Sequence, residues 1–160
     1  MLPKQLSLTD GTIVKLCPTD KPLYCSKQGR FYSLHNAILT AEGWLLHEVK
    51  PSFSPRRRRG KWKSSNGISG SQYPTMRHFG NKHCHNLMAL TWLGPRPQGM
   101  EIDHINGNLF DWSIDNLQYV TPTENRRRAK ILRHLRSFGR DSMQFTHVEL
   151  LTIFSHNTEF

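Results

Sequence analysis

The segment from Asp103 to Asn125 constrains the fold more than any other part of the chain. Residues 100–102 and 117–120 predict two short strands joined by a loop. The run Thr121-Pro122-Thr123-Glu124 predicts a helix start, with an N-cap threonine, a proline at the first helical position and a glutamate that completes a capping box. The segment therefore predicts strand, loop, strand and helix in that order, with the helix stopping at Gly139.

The polar residues of this segment have the chemistry of a metal site beside a base. If the helix packs across the hairpin, Asp103 and Asn125 converge and offer one carboxylate and one amide oxygen. Such hard ligands, with no thiolate, favour one Mg²⁺ or Mn²⁺ ion over structural zinc. A neutral His104 can accept a proton from water near pH 7. Because successive strand residues face opposite sides, the backbone must bend if both Asp103 and His104 serve one site, and Asn106-Gly107 can supply that bend.

The charge of the chain favours a polyanionic partner. The 160 residues carry a formal net charge of +10, for which nucleic acid is the default explanation. No apolar run approaches the roughly 18–20 residues of a membrane span, and the N-terminus does not resemble a signal peptide. We therefore expect a cytoplasmic protein without membrane contact. Three cysteines without a paired pattern suit reduced thiols.

Four regions are expected along the chain. Residues 1–50 form a β-rich module, with a hairpin of residues 23–26 and 31–34 and a further strand at 44–49. Residues 51–72 form a basic flexible loop, residues 73–138 the core that carries the site, and residues 139–160 a tail with a short helix capped by Thr146. Within the core, a short strand is expected to reach His85, and Asn86 is expected to cap the next helix.

Two groups of cations are candidates for DNA contact. In the loop these are Arg56, Arg57, Arg58, Arg59, Lys61 and Lys63, which can track phosphates or simply aid solubility. On the predicted helix, Arg126 and Arg127 follow Asn125 directly. They can contact a phosphate, or they can form an ordinary solvated helix face.

Asp103-His104, Asn116 and Asn125, at these spacings, resemble the HNH endonuclease motif in its variant with a final asparagine. Upstream, His85-Asn86-Leu87-Met88-Ala89 resembles the helix start that precedes this motif in phage and intron-borne homing endonucleases. The resemblance implies an α+β protein with a ββα-metal (His-Me finger) core and one divalent ion. It also implies nicking or double-strand cleavage of double-stranded DNA, leaving 5′-phosphate and 3′-hydroxyl ends.

By position, the resemblance makes Asp103 and Asn125 metal ligands, His104 the general base and Asn116 a scaffold that orients the base. From its chemistry alone, the Asn116 amide can either pin the loop or orient His104. His85 is a candidate for supporting the active site.

Two alternatives remain open. The nearby His78, His83, Cys84 and His85 suggest a zinc site, but no second ligand pair stands at zinc-finger spacing. The chain can also be a non-catalytic DNA-binding accessory or regulatory protein on a degenerate HNH fold. With one predicted active site and no evident dimer stripe, we expect a monomer.

Overall fold

The structure is a computed structural model that describes residues 2–52, 73–80, 82–140 and 145–156. Nearly all of the predicted basic loop lies outside these residues. So do its six candidate DNA-binding cations, Arg56, Arg57, Arg58, Arg59, Lys61 and Lys63. Their role stays a prediction.

The N-terminal residues form a five-stranded antiparallel sheet whose strands follow one another in sequence order. The predicted hairpin is confirmed, since its two strands pair with Cys25 opposite Phe31. The strand expected at residues 44–49 is also confirmed. The five strands are β1 (Gln5–Ser7), β2 (Ile13–Leu16), β3 (Leu23–Ser26), β4 (Phe31–Thr40) and β5 (Gly43–Val49).

Alternation along β3 gives this sheet two buried faces. Leu23 and Cys25 point to one side and Tyr24 to the other, and all three are fully buried. One face packs with Leu6, Val14 and other residues of the sheet itself. The other face joins a cluster that includes residues of the later helix and hairpin. The sheet therefore shares a hydrophobic core with the part of the chain that carries the predicted site.

The next elements are two short strands and a helix. Strand β6 (Thr75–Met76) pairs with β7 (Lys82–His83), and helix α1 (Cys84–Trp92) follows at once. The expected start of this helix was wrong: it begins at Cys84, so His85 lies on the helix and Asn86 is not its cap. The first helical N–H, on Cys84, donates to the Pro74 carbonyl, so the neighbouring backbone replaces a side-chain cap.

The predicted strand, loop, strand and helix are confirmed. Strand β8 (Glu101–His104) pairs antiparallel with β9 (Leu117–Val120), and a short 3₁₀ turn (Ile114–Asn116) precedes β9. Helix α2 (Pro122–Ser137) ends before Gly139, and the hydroxyl of its N-cap Thr121 accepts from the Glu124 N–H. The Glu124 carboxylate does not close the capping box. It accepts hydrogen bonds from arginines further along α2 instead.

The tail contains the predicted short helix, α3 (His147–His156). Its Leu150 and Phe154 pack with Ile131 and Leu132 of α2 and with Ile105, the residue after β8. A complete capping box begins α3: the Glu149 carboxylate accepts from the Thr146 N–H, and the Thr146 hydroxyl accepts from the Glu149 N–H.

Taken together, the described residues form a mixed arrangement of antiparallel sheets and helices. The described helices include none with the length and apolar character needed to cross a membrane. Cys17, Cys25 and Cys84 are buried free thiols, as the unpaired pattern predicted.

Candidate functional site

A cavity of about 290 Å³ lies where β8 ends against α2. The side chains around it include Tyr73, Asp103, His104, Asn125, Arg133 and Arg136. The structure therefore brings together both predicted metal ligands and the predicted base. Pairing with β9 stays regular through His104, and the chain turns directly afterwards, with the Gly107 N–H donating to the His104 carbonyl. Because the strand ends there, one cavity reaches side chains from both of its faces.

Asp103 is held by neighbours on two elements. It is 7% exposed, and its Oδ2 accepts a hydrogen bond of 2.8 Å from Nε2 of Gln118, its cross-strand partner on β9. The guanidinium of Arg128 on α2 lies 3.5 Å from the same oxygen. Burial raises the pKa of the Asp103 carboxyl above its usual value, while the hydrogen bond from Gln118 and the charge of Arg128 act against this shift.

His104 is a buried, neutral imidazole. It is 5% exposed, and burial lowers its pKa to about 4. Its Nε2 is buried without a hydrogen-bond partner among the described residues. An imidazole in this state carries no charge at neutral pH and keeps a nitrogen lone pair with which to accept a proton.

Aromatic rings surround His104 on the side of α1. The His85 ring lies edge-on at 5.3 Å between centroids, and the Tyr73 ring is stacked at 6.1 Å. Burial lowers the pKa of His85 to about 3, and the neighbouring imidazoles of His104 and His83 add to the shift. The predicted supporting residue, His85, thus contacts His104 through its ring and is itself uncharged at neutral pH.

Asn116 fastens the loop between β8 and β9. Its side chain is fully buried, with Oδ1 accepting from the Asn106 N–H at 2.9 Å and Nδ2 donating to the Asp111 carbonyl at 2.7 Å. Its own carbonyl accepts from the Ile105 N–H. These three bonds fix the backbone that follows His104, so Asn116 lies where it can position this histidine through the loop.

Asn125 lies in the first turn of α2 and lines the cavity. Its Nδ2 donates to a carboxylate oxygen of Glu101 at 2.7 Å, which fixes the rotation of the amide. With Nδ2 engaged in this way, the amide oxygen is available to a cation. Glu101 begins β8, so this bond also ties α2 to the hairpin.

Arg126 and Arg127 are not among the residues that line the cavity. Arg126 is exposed and donates weakly to Thr123, while Arg127 makes two hydrogen bonds of 2.7 Å to Glu124. The third arginine of the run, Arg128, is the one that turns inward. It donates to Glu124, lies beside Asp103, and rests on the Phe154 ring of α3 at 4.8 Å.

Several residues of the site are missing from the set predicted from sequence. Gln118 was detectable from the hairpin register, because it stands directly opposite Asp103. Arg128, Arg133 and Arg136 follow Asn125 at helical spacings of three, eight and eleven residues, so periodicity places them near it. Tyr73 had no such signal, since it comes from a distant segment.

A divalent ion fits the donors around the cavity. Asp103 supplies a carboxylate and Asn125 an amide, the oxygen ligands that Mg²⁺ accepts alongside water and phosphate.

The described histidines near α1 do not form a structural zinc site. Within the described ranges, no group of three or more His, Cys, Asp or Glu side chains is arranged to hold a metal ion. His83 and His85 instead stack on each other at 5.5 Å between ring centroids.

The loop between β8 and β9 is also attached to the N-terminal sheet. Nε1 of Trp112 donates to the Gly29 carbonyl at 2.8 Å, and the Ile114 N–H donates to the Lys27 carbonyl at 2.9 Å. Gly29 has a φ of +84°, and a Cβ there would come within 2.7 Å of the Trp112 ring. The β3–β4 turn therefore holds the loop whose other end Asn116 fastens.

Residues 82–127 match the model of the protein family described as HNH endonuclease. The match runs from β7 into the first turns of α2 and contains Asp103, His104, Asn116 and Asn125. It confirms the resemblance of this segment to the HNH endonuclease family, and so indicates a nuclease domain whose substrate is a nucleic acid. No curated protein and no solved structure matches the chain.

Proposed function

We propose that this chain is a metal-dependent DNA endonuclease that hydrolyses phosphodiester bonds on a ββα-metal core formed by β8, β9 and α2. The observation that carries this proposal is the shared cavity of Asp103, His104 and Asn125 within the segment that matches the HNH endonuclease family. Around this one opening, a carboxylate and an amide can bind a cation that holds a phosphate, and a neutral imidazole can accept a proton from water.

Asp103 and Asn125 would hold one Mg²⁺ or Mn²⁺ ion between the strand end and the helix start. The bound ion would supply positive charge to the phosphate and to the leaving 3′ oxygen. Asp103 is suited to this because Gln118 fixes the orientation of its carboxylate. Asn125 is suited because Glu101 fixes its amide.

His104 would act as the general base. Its neutral ring takes one proton from a water molecule as the water oxygen forms a bond to phosphorus. The bond from phosphorus to the 3′ oxygen then breaks with its electron pair going to that oxygen, which takes a proton from solvent, while His104 releases its proton to solvent. The products are a 5′-phosphate and a 3′-hydroxyl. Burial keeps the pKa of His104 low, which ensures the unprotonated form at neutral pH. Asn116 would hold the backbone after His104, and His85 would support the ring.

The substrate would be double-stranded DNA, bound through the cationic surface of the chain. Arg126 and Arg127 stay candidates for phosphate contact, Arg126 because it is exposed beside Asn125. We further propose that the protein is of the homing or mobile-element type, with a phage as one source, acts inside the cell and works as a monomer. The support for the homing type is the sequence of residues 85–89, in the first turns of α1, which resembles the helix starts of phage and intron-borne enzymes.

Incubation of the purified chain with supercoiled plasmid tests the enzymatic proposal. We expect relaxed or linear products with Mg²⁺ or Mn²⁺ and none with a chelator. Electrophoretic mobility shifts of the same DNA, with the metal ion chelated, would measure binding separately from cutting.

The alternative, a non-catalytic DNA-binding protein on the same fold, predicts salt-sensitive binding that is independent of metal, with no cutting. The contact of Arg128 with Asp103 favours this alternative in one respect, because a guanidinium there competes with a metal ion for the carboxylate. Binding without cutting under both metals would therefore replace the enzymatic proposal.

A further inference from the structure

The cavity has two chemically different ends, both on one stripe of α2. Asn125, Leu132, Arg133 and Arg136 all line it, and their spacings of seven, eight and eleven residues place them along one face of the helix. The amide at the start of α2 faces Asp103 and His104. Eight residues further along, or about 12 Å at 1.5 Å per residue, the stripe becomes cationic.

Arg136 lies against the turn that follows His104. A guanidinium nitrogen of Arg136 is 3.1 Å from the position that a Cβ on Gly107 would take, and Leu132 is closer still at 2.8 Å. The absent side chain of Gly107, whose φ is +69°, therefore lets the cationic end of α2 approach the site. The guanidinium is placed by this packing and belongs to the wall of the cavity.

The arginines of α2 differ in whether a carboxylate binds them. Arg127 and Arg128 are bound to Glu124 near the helix start. Arg133, which lines the cavity, has no carboxylate partner within the described part of the chain. A cation in a cavity wall without a carboxylate to neutralise it suits an anion that enters with the substrate.

We propose that Arg133 and Arg136 form a subsite for phosphodiester groups of the DNA strand that is cut. The strand would run along α2, with the scissile phosphate at the Asp103 and Asn125 end and neighbouring phosphates of the same strand at the arginine end. This inference rests on the proposed function for the identity of the strand. The subsite lies beyond residues 82–127 and adds two residues to the candidate DNA contacts.

The salt dependence of DNA binding, measured with the metal chelated, tests the subsite. Arg133→Gln/Arg136→Gln is compared with Lys130→Gln/Arg140→Gln, which removes the same charge from residues that are exposed like Arg133 and Arg136 but lie outside the cavity lining. Fluorescence anisotropy of a labelled duplex gives the dissociation constant from about 50 to 200 mM salt. We expect the subsite variant to lower the slope of log K against log salt by about 2 and the control to leave it nearly unchanged.

A charge-preserving variant, Arg133→Lys/Arg136→Lys, keeps the test valid if the glutamine variant folds poorly. It should retain the wild-type slope and bind more weakly, because lysine cannot make paired hydrogen bonds to a phosphate. If the subsite variant gave the same slope as the control variant, whether lowered or unchanged, the proposed subsite would be wrong. If the subsite variant lowers the slope as expected but the wild-type protein cuts no plasmid with either metal, the subsite stands as a DNA-binding surface and the enzymatic proposal fails.

Discussion

The N-terminal sheet and the β8–β9–α2 unit are both built on antiparallel strands, but they bury different polar groups. The sheet buries the hydroxyls of Ser26 and Ser33. The hairpin and its loop bury a carboxyl, an imidazole and two amides, those of Asp103, His104, Asn106 and Asn116. Burying ionisable and amide groups lowers the stability of a fold unless they are hydrogen-bonded. The difference agrees with the proposed function, in which the sheet stabilises the fold and the second region carries the groups that take part in the reaction.

The two regions nevertheless share one apolar cluster. Cys25 and Phe31 of the sheet pack with Leu87 of α1 and Leu117 of β9. Trp112 then joins the loop of the hairpin to the turn at Gly29. A substitution in the sheet can therefore affect the site through the stability of the shared core or through the contact between Trp112 and Gly29.

The largest expected loss of stability belongs to Asn116→Ala. The substitution leaves the Asn106 N–H and the Asp111 carbonyl without their partners, so it should lower the free energy of unfolding by about 3 kcal/mol. Ser33→Ala, at a buried serine of the sheet, should cost less than about 1 kcal/mol. Urea denaturation of both variants measures the difference. Similar losses would show that the two regions do not differ in how they use buried polar groups.

Gly29→Ala should have the next largest effect, about 2–3 kcal/mol, because it combines a left-handed backbone with a clash against Trp112. Gly11→Ala is the matched control, since Gly11 also has a positive φ but nothing lies within 4 Å of its Cβ position. We expect about 1 kcal/mol there. Thermal unfolding compares the two, and plasmid cutting should fall only for Gly29→Ala. Equal costs would mean that the Trp112 contact does not join the two regions.

Acid should weaken the fold through the buried imidazoles. The pKa of His85 is lowered to about 3 and that of His104 to about 4, against about 6.5 in an unfolded chain. As the pH falls below about 6.5, the unfolded chain binds protons that the folded protein does not. The free energy of unfolding should therefore decrease by up to about 1.4 kcal/mol per pH unit for each histidine.

His85→Gln should remove roughly half of this pH dependence, whereas His35→Gln, at an exposed position on β4, should leave it unchanged. Urea denaturation between about pH 7 and 5 provides the measurement. An identical pH dependence in wild type and in His85→Gln would show that His85 is not held neutral by the fold.

Local signals predicted the elements around the site well. Thr121, Pro122 and Gly139 marked the ends of α2, and Thr146 marked the start of α3, because caps and stops act over a few residues. The start of α1 was predicted wrongly because the group that caps it is distant in sequence. Its first N–H is satisfied by the Pro74 carbonyl, a partner that no local pattern contains.

The site itself was predictable where one motif supplies it. Asp103, His104 and Asn125 meet at the cavity because a hairpin followed by a helix is a local arrangement. Tyr73 beside His104 and Phe154 beneath Arg128 come from other segments and depend on tertiary packing. Glu124 illustrates competition between local rules, since its carboxylate binds Arg127 and Arg128 instead of completing the capping box.

The central claim is that His104 serves the cutting of DNA and not its binding. The most direct test measures plasmid cutting and duplex binding for wild type, His104→Ala and the exposed control His35→Ala. Loss of a general base should slow cutting by about 100- to 10,000-fold in His104→Ala, with binding and the control unchanged. Cutting by His104→Ala at the wild-type rate would contradict the account.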